Sequence, residues 1–387
     1  MARTLLCIVP ANLDELRVKG VEKHILQRDL GGYWDHVITV HPFANKSRTE
    51  VISERHTVVE YKWRGVLGVP LLIGRLVRDA RKWKPTAIKV HDPYACGLLG
   101  WLVSKVCSIP YAVMICSSYD LTHETCGTSV LGNPTMDKTV CRFVLSHADA
   151  VFGGSGDATE FTLRNGAQPD RTCTVRTGGV EECHFESLEN RRDIRQEMGW
   201  GDDKVILFVG RLSAIKFPED AIKAFAVISQ KIPKSRLIMA GDGGMLGELQ
   251  NMVDKLRLKV EFPRFVPQDV LVNMLFSADV ILAPLSGSSL VESALSETPI
   301  VAYDVDWHRE LIVDGVTGVL VKFRDFRVMG RVAVELLQHP ELCKSMGQRA
   351  RQAAIAQHSL SKIYEIESQC FDTMLNRRID AYSTSKS

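Results

Sequence analysis

An alternation of short apolar segments with amphipathic ones, repeated twice along the chain, constrains the fold most strongly. In the first half, the apolar segments are Leu5–Val9, His36–Val40, Ala87–Val90 and Ala112–Ile115, with helices starting near Gly20 and Pro70. In the second half they are Val205–Val209, Arg236–Ala240, Val260–Phe262, Val280–Ala283, Ile300–Tyr303 and Val319–Val321. Short buried strands that alternate with helices form parallel sheets covered on both faces. The pattern predicts an α/β protein with two doubly wound units.

Length and composition agree with two globular units. A chain of 387 residues exceeds what one hydrophobic core usually supports. Hydrophobic residues make up 45% and charged residues 24%, which excludes a disordered or collagen-like chain. The formal net charge of +2 gives no general attraction to polyanions, so we expect no nucleic-acid partner.

The predicted domains are residues 1–188, residues 189–358, and a C-terminal segment, 359–387. The last segment is interpreted as a helix that packs back on the first domain, followed by a disordered tail. The polar stretch Glu186–Asp203 is the predicted linker, with a short helix starting near Asn190. Ligands bind beyond the carboxyl ends of parallel strands, so two such domains facing one another would enclose a central cleft.

Targeting signals and cysteines bear on the compartment. The apolar run Leu5–Val9 is too short for a signal-peptide core, and the stretch Gly65–Gly74 is too short to cross a bilayer. The ten cysteines are scattered without a CxxC pair, which favours free thiols in a reducing compartment. We therefore predict a cytoplasmic protein.

Two cations follow the first strand of the second half. The strand ends in Gly210, Arg211 comes next, and Lys216 lies five residues further on. An arginine can chelate two phosphate oxygens while a lysine supplies a point charge, so the loop suits a diphosphate leaving group. The alternative is a pair of solvated surface cations.

A second loop has the composition of a phosphate-binding helix start. After Val280–Ala283, the residues Gly287, Ser288 and Ser289 precede a predicted helix, whose free backbone amides and dipole favour an anion. Glu292 follows one turn later and could accept hydrogen bonds from ribose hydroxyls. Ordinary helix capping by Ser288 and a surface role for Glu292 are the alternative.

Together these segments resemble glycosyltransferase family 4, the retaining transferases of the double-Rossmann GT-B type, also described as glycosyl transferases group 1. The resemblance rests on Gly210-Arg211-Leu212 with Lys216, on Glu292-Ser-Ala with Pro299-Ile-Val-Ala, and on Glu310 to Gly318. It covers most of the chain and is strongest from Val205 to Val321. It implies an acceptor-binding first domain and a second domain that binds a UDP- or GDP-linked sugar, without metal or other cofactor.

The resemblance also implies the activity and its residues. A sugar would pass with retention to a hydroxyl of a sugar, a lipid-linked sugar or a small molecule, in polysaccharide or glycolipid assembly. The expected donor-binding residues are Gly210, Arg211, Lys216, Gly241, Phe265, Val266, Gly287, Ser288, Ser289, Leu290 and Glu292. The expected catalytic residues are Arg211 and Lys216, together with His91, Asp120 and His123, which are candidates because they follow predicted strands of the first half. The expected acceptor-binding residues are Gly20, Asp92 and Tyr119.

The chain departs from the family pattern in two places. Family members commonly carry two glutamates eight residues apart, whereas only Glu292 is present here, because the loop after Pro284 is shorter. Many members place a histidine after the strand that corresponds to Ala112–Ile115, and this chain has Cys116 there, with His123 further on. A non-catalytic sugar-nucleotide-binding protein is therefore a rival hypothesis.

Three further patterns allow other interpretations. Asp304-Val-Asp306 has the form of a metal-binding DxD motif, although the cations already supply the neutralising charge. The segment starting at Gly241 resembles a dinucleotide loop, as in an oxidoreductase, but its glycine spacing fails. A helix around Leu72, Leu76 and Ala80 with a basic edge could lean on the anionic inner face of a membrane, or could simply face the core.

Overall fold

The computed structural model describes residues 2–18, 22–116, 131–179 and 192–384, which fall into two compact units. Of these, residues up to 176 and from 363 onward form unit 1, and residues 177–362 form unit 2. Gly20, Tyr119, Asp120 and His123 lie outside the described residues.

Unit 1 is built on a mostly parallel sheet with the order β3-β4-β2-β1-β5-β6-β7-β8. Among the strand pairs of the described residues, only β3–β4 is antiparallel. The strands are β1 (Thr4–Ile8), β2 (His36–Ala44), β3 (Arg48–Ser53), β4 (His56–Lys62), β5 (Ala87–Val90), β6 (Tyr111–Ile115), β7 (Ala150–Gly153) and β8 (Thr172–Thr174). The strand order reverses between β1 and β5, so the residues after these two strands lie at the switch point where such sheets bind ligands.

Helices cover both faces of this sheet. They are α1 (Leu13–Val18), α2 (Lys23–Leu26), α3 (Val69–Trp83), α4 (Ala95–Cys107), α5 (Pro134–Ser146) and α6 (Gly156–Arg164), with 3-10 turns at Gln27–Asp29, Val66–Gly68 and Pro169–Arg171. Helix α14 (Leu360–Thr384) also belongs to this unit. It packs Phe371 and Met374 into the same core as Trp34 and Phe152. Its Glu367 forms a buried ion pair with Lys89 of β5, so the chain end is part of the unit 1 core.

Unit 2 is an all-parallel sheet with the order β11-β10-β9-β12-β13-β14. The strands are β9 (Lys204–Val209), β10 (Ser235–Ala240), β11 (Val260–Arg264), β12 (Val280–Ala283), β13 (Ile300–Tyr303) and β14 (Val319–Val321). This is the 3-2-1-4-5-6 order of the Rossmann fold, with its switch point between β9 and β12. The predicted loops after these two strands are therefore neighbours.

Helices pack on both faces of the second sheet and bury two apolar clusters. They are α7 (Pro218–Lys231), α8 (Leu246–Leu256), α9 (Gln268–Ser277), α10 (Ser288–Leu295), α11 (His308–Leu311), α12 (Phe326–Gln338) and α13 (Pro340–His358), with a 3-10 turn at Ala214–Lys216. The strands β12 and β13 are apolar and fully buried because both sheet faces are covered.

The structure corrects several local expectations. The first helix of unit 1 begins at Leu13 rather than near Gly20. No strand was predicted between residues 48 and 62, where the β3–β4 hairpin lies. Residues 192–203 form turns rather than a helix, and Ile194 and Trp200 are buried in unit 2, so this segment belongs to that unit. The boundary falls before residue 177, earlier than residue 188.

In the described part of the chain, the helices are all too short or too polar to cross a membrane.

Candidate functional site

The loops after β9 and β10 are held together by their backbones. Gly210 N–H donates to Ala240 O at 3.1 Å, and Leu212 N–H donates to Asp242 O at 3.0 Å. A Cβ atom on Gly241, whose φ is +154°, would lie 1.8 Å from Gly210 O, and one on Gly243 would lie 2.3 Å from Leu212 O. These glycines therefore allow two loops to touch, which explains a glycine-rich segment without a dinucleotide fingerprint.

Lys216 reaches across the switch point to the start of α10. The residue ends the 3-10 turn Ala214–Lys216, where its N–H donates to Ser213 O at 2.8 Å. Its ammonium nitrogen lies 3.9 Å from the Cβ position of Gly287, the residue before α10. The structure thus brings the cation of one predicted loop to the helix start of the other.

The burial and the charges around Lys216 favour the binding of an anion. Burial, and then the positive charge of Arg211, lower its pKa to about 8, and the carboxylate of Asp306 partly opposes this shift. Within the described ranges, no carboxylate lies within 4 Å of the Lys216 or the Arg211 charge. A buried lysine whose pKa is lowered by a neighbouring cation gains charge stabilisation from a ligand with negative charge.

The start of α10 offers backbone donors. Gly287 precedes the helix with extended ψ, and no side chain caps this end in the described structure. Leu290 N–H already donates to Gly287 O, which leaves the amides of Ser288 and Ser289 at the end of the helix dipole. Gly178 lies beside them, since its Cβ position is 3.1 Å from Ser288 Cβ. The close approach of Gly178 was missed in the sequence.

His308 fixes the loop that leads to α10, and sequence reasoning also missed this residue. Its Nδ1–H donates to Tyr303 O at 2.9 Å, and Ser286 N–H donates to its Nε2 at 3.0 Å. Burial lowers the pKa of this imidazole to about 4, so the ring is neutral and accepts the bond from Ser286. The only sequence signal was a histidine in the loop after a buried strand.

Glu292 lies on α10 and is partly buried. The side chain of Gln268, at the start of α9, donates to Glu292 Oε1 at 2.8 Å. This bond orients the carboxylate predicted for the ribose and adds Gln268 to the candidate residues. Leu290, by contrast, is fully buried in the unit 2 core, so its side chain supports α10.

Phe265 and Val266 differ in their environment. Phe265 is 66% exposed and follows Arg264, whose carbonyl accepts from Gly241 N–H at 2.9 Å. Val266 packs against the core of unit 2. The exposed ring thus lies on the segment beside the Gly241 turn, where a flat ligand surface could stack on it.

The Asp304-Val-Asp306 segment does not present two carboxylates side by side. Asp304 pairs with Arg309 at 2.9 Å, while Asp306 acts on Lys216. Among the described residues, no group of three or more His, Cys, Asp or Glu side chains gathers as a metal site. Metal independence stays a prediction.

In unit 1, His91 and Asp92 follow β5 at the switch point. Burial, with the charges of Lys89 and Arg28, lowers the pKa of His91 well below its ordinary value, so the ring is neutral. Its Nε2 is buried without a hydrogen-bond partner in the described structure. Asp92 is buried and accepts from Tyr94 N–H at 2.7 Å and from amides at the start of α4. The geometry gives Asp92 a capping role, and its contact with an acceptor stays a prediction.

Part of the chain is similar to known proteins. Residues 190–353 match the family Glycosyl transferases group 1. The putative glycosyltransferase EpsD of Bacillus subtilis is 31% identical over 192 residues, 48% of this chain and 50% of EpsD. An alpha-D-kanosaminyltransferase of Streptomyces kanamyceticus is 27% identical over 277 residues, 69% of this chain and 71% of that protein. The chain thus spans half of the one relative and 71% of the other.

The fold is shared along nearly the whole chain. The crystal structure of Anabaena HepE in complex with UDP superposes with a TM-score of 0.75 at 16% identity, covering 96% of this chain and all of HepE. This likeness concerns the fold, which is of the GT-B type with two Rossmann-like units. Residues 190–353 are thus similar to Glycosyl transferases group 1, and the chain has the GT-B fold.

Proposed function

We propose that the chain is a retaining glycosyltransferase that moves a sugar from a nucleoside diphosphate donor to a hydroxyl acceptor in polysaccharide or glycolipid assembly. The observation that carries the proposal is that the ammonium nitrogen of Lys216 lies close to the start of α10. When the glycosidic bond breaks, negative charge develops on the diphosphate oxygens, and fixed cations and amides stabilise that charge. Lys216, Arg211 and the amides of Ser288 and Ser289 supply these groups.

The other donor contacts follow from the same geometry. Glu292, held by Gln268, accepts from the ribose hydroxyls, and the exposed ring of Phe265 stacks on the base. The UDP bound to HepE supports a uridine donor, with GDP as the alternative. Retention follows if the departing phosphate takes the acceptor proton on the face that it leaves. This stereochemistry rests on the family resemblance, and so does metal independence.

Unit 1 binds the acceptor in this proposal. His91 is a neutral imidazole at the switch point whose Nε2 has no hydrogen-bond partner among the described residues, which suits it to hold an acceptor hydroxyl. The predicted roles of Asp120, His123, Tyr119 and Gly20 belong to the same proposal. The protein acts in the cytoplasm, where nucleotide sugars serve as donors.

A lipid-carried acceptor is supported by an exposed apolar turn on unit 1. Leu72, Leu76 and Ala80 of α3 are buried, so that helix face is core. The turn before the helix is different, because Val66 is 81% and Leu67 97% exposed. Basic residues flank it at Lys62, Arg64, Arg75 and Arg78. Exposed apolar side chains that are flanked by basic residues suit peripheral contact with an anionic membrane face.

A non-catalytic sugar-nucleotide-binding protein is the second candidate. It is favoured by the short loop after Pro284, which leaves Glu292 without the family's first glutamate. Binding without turnover would distinguish this candidate from an enzyme.

The test combines binding and turnover. A panel of UDP- and GDP-sugars is screened for protection against thermal unfolding, and the donor that protects is then followed for nucleoside diphosphate release with and without acceptors. We expect release that Lys216→Ala lowers by about 100- to 1,000-fold. NMR of the product should give the donor's anomeric configuration. An inverted product contradicts retention, and binding without release contradicts the enzyme.

A further inference from the structure

Two cysteines from distant parts of the chain meet on unit 1. Cys173 lies on β8, the edge strand of the sheet, and Cys370 lies on α14. Both thiols are partly buried against the core that holds Phe371 and Met374. The interaction between the two thiols lowers the pKa of Cys173 and raises that of Cys370.

The pair is accessible to small molecules. Cys173 and Cys370 line one cavity of about 230 Å³, together with the basic side chains of Arg171 and Arg377. Arg377 is held there by the carbonyl and carboxylate of Asp170. Its positive charge adds to the lowering of the Cys173 pKa. A partly exposed thiol beside cations is the environment in which thiolates react with oxidants.

Other described thiols have a different environment. Burial raises the pKa of Cys7, Cys96 and Cys343. Cys343 is partly buried, as Cys173 is, but its thiol donates to the carbonyl of Leu336 at 3.0 Å instead of meeting a second sulfur. It is therefore a matched control for reactivity.

We propose that Cys173 and Cys370 are an oxidant-sensitive thiol pair that closes to a disulfide between the edge strand and the last helix. The Cys173 thiolate attacks one oxygen of hydrogen peroxide, the O–O bond breaks, and a sulfenic acid forms while the leaving hydroxide takes up the proton that the thiol had lost and becomes water. The Cys370 sulfur then attacks the Cys173 sulfur, the S–O bond breaks, and a second water leaves with the Cys370 proton. The sum is two thiols and hydrogen peroxide giving one disulfide and two waters.

The disulfide would fasten α14 to the sheet. Before oxidation, the helix is held by its apolar face and by the Lys89–Glu367 pair. After oxidation, a covalent bond joins it to the edge strand, so the helix cannot detach from unit 1 by local opening. This inference does not depend on sugar transfer.

The experiment treats the reduced full-length protein with hydrogen peroxide, blocks remaining thiols with iodoacetamide, and maps peptides by mass spectrometry without reductant. We expect a linked pair of peptides containing Cys173 and Cys370, reversed by dithiothreitol, and formed about tenfold faster than any oxidation at Cys343. Hydrogen exchange of residues 363–378 should slow in the oxidised protein.

Variants separate the two steps. In Cys370→Ser, dimedone should trap a sulfenic acid at Cys173, whereas in Cys173→Ser, Cys370 should stay alkylatable. Cys343→Ser should form the disulfide as the wild type does. The proposal is overturned if both thiols stay alkylatable after peroxide treatment, if Cys343 oxidises as fast as the pair, or if Cys173 links to a different cysteine.

Discussion

The ammonium nitrogen of Lys216 lies 3.9 Å from the point where a Cβ atom of Gly287 would stand. The two residues follow β9 and β12, which pair in parallel through Ile206–Val280 and Leu207–Ile281. Because parallel neighbours end at the same edge of the sheet, the strand order itself brings the cation to the helix start.

Donor binding should weaken as pH rises through about 8, because Lys216 loses its proton there. A bound diphosphate favours the charged form, so binding above this pH should take up a proton. Calorimetry in buffers of different ionisation enthalpy measures that uptake. Lys216→Arg keeps its charge and should remove the pH dependence between pH 7 and 10. Equal uptake in the variant and the wild type would contradict the assignment.

Gly241→Ala should destabilise unit 2 by about 1–3 kcal/mol, since its Cβ atom would meet Gly210 O at 1.8 Å. The loop after β9 would have to move to relieve this clash, which should displace Arg211 and weaken donor binding. Gly244→Ala is the matched control, because nothing lies within 4 Å of its Cβ position. Urea unfolding and nucleotide titration of both variants make the comparison. A stable Gly241→Ala with normal binding would argue against loop contact.

His308→Phe should destabilise the fold by about 1–3 kcal/mol, because the buried Ser286 N–H loses its acceptor. The wild-type imidazole has its pKa lowered to about 4. The folded state therefore binds fewer protons than the unfolded state between about pH 4 and 6.5, and stability falls as pH falls through this window. His308 contributes about 3 kcal/mol to this pH-dependent change in the free energy of unfolding. The contribution should be missing in the variant.

Urea unfolding at pH 7 and pH 5 measures this difference. His36→Phe, at an exposed position, should keep the wild-type pH dependence and change stability by less than about 0.5 kcal/mol. If His308→Phe keeps the full pH dependence, His308 is not the group that titrates.

The alternation of strands and helices was sufficient to predict much of the fold. The bounds of β5, β12, β13 and β14 agree with the predicted segments. The β3–β4 hairpin was missed because β3 is an edge strand with a half-exposed face, so its residues lack a continuous apolar run. Register and burial of such a strand depend on its neighbour rather than on its own sequence.

In the candidate site, too, some residues are indicated by local sequence patterns and others are not. Arg211, Lys216 and Glu292 could be proposed from the sequence, because cations after a strand and a carboxylate in a helix start are local patterns, and their roles stay predictions. The roles of His308, Gln268 and Gly178 depend on partners distant in sequence, Ser286, Glu292 and Ser288. One sequence without its fold does not indicate these pairs.

If the exposed turn at Val66 and Leu67 contacts membranes, the wild-type protein should float with vesicles that contain anionic lipid. Salt should reduce this binding. Leu67→Ser should weaken it about tenfold or more, since a leucine gains about 1.5–3 kcal/mol on burial. The control is Leu342→Ser, at a leucine of unit 2 that is 45% exposed. Equal loss in both variants, or no salt-sensitive flotation of the wild type, would exclude this surface.

The most direct test of the diphosphate site compares two ligands that differ only in phosphate. Isothermal titration gives Kd for UDP, or GDP if that is bound, and for the matching nucleoside, in wild type and Lys216→Ala. The account predicts that the variant binds the diphosphate at least about tenfold more weakly, as expected for a lost charge-assisted contact, and binds the nucleoside as the wild type does. Unchanged diphosphate affinity, or equal weakening for both ligands, would contradict it.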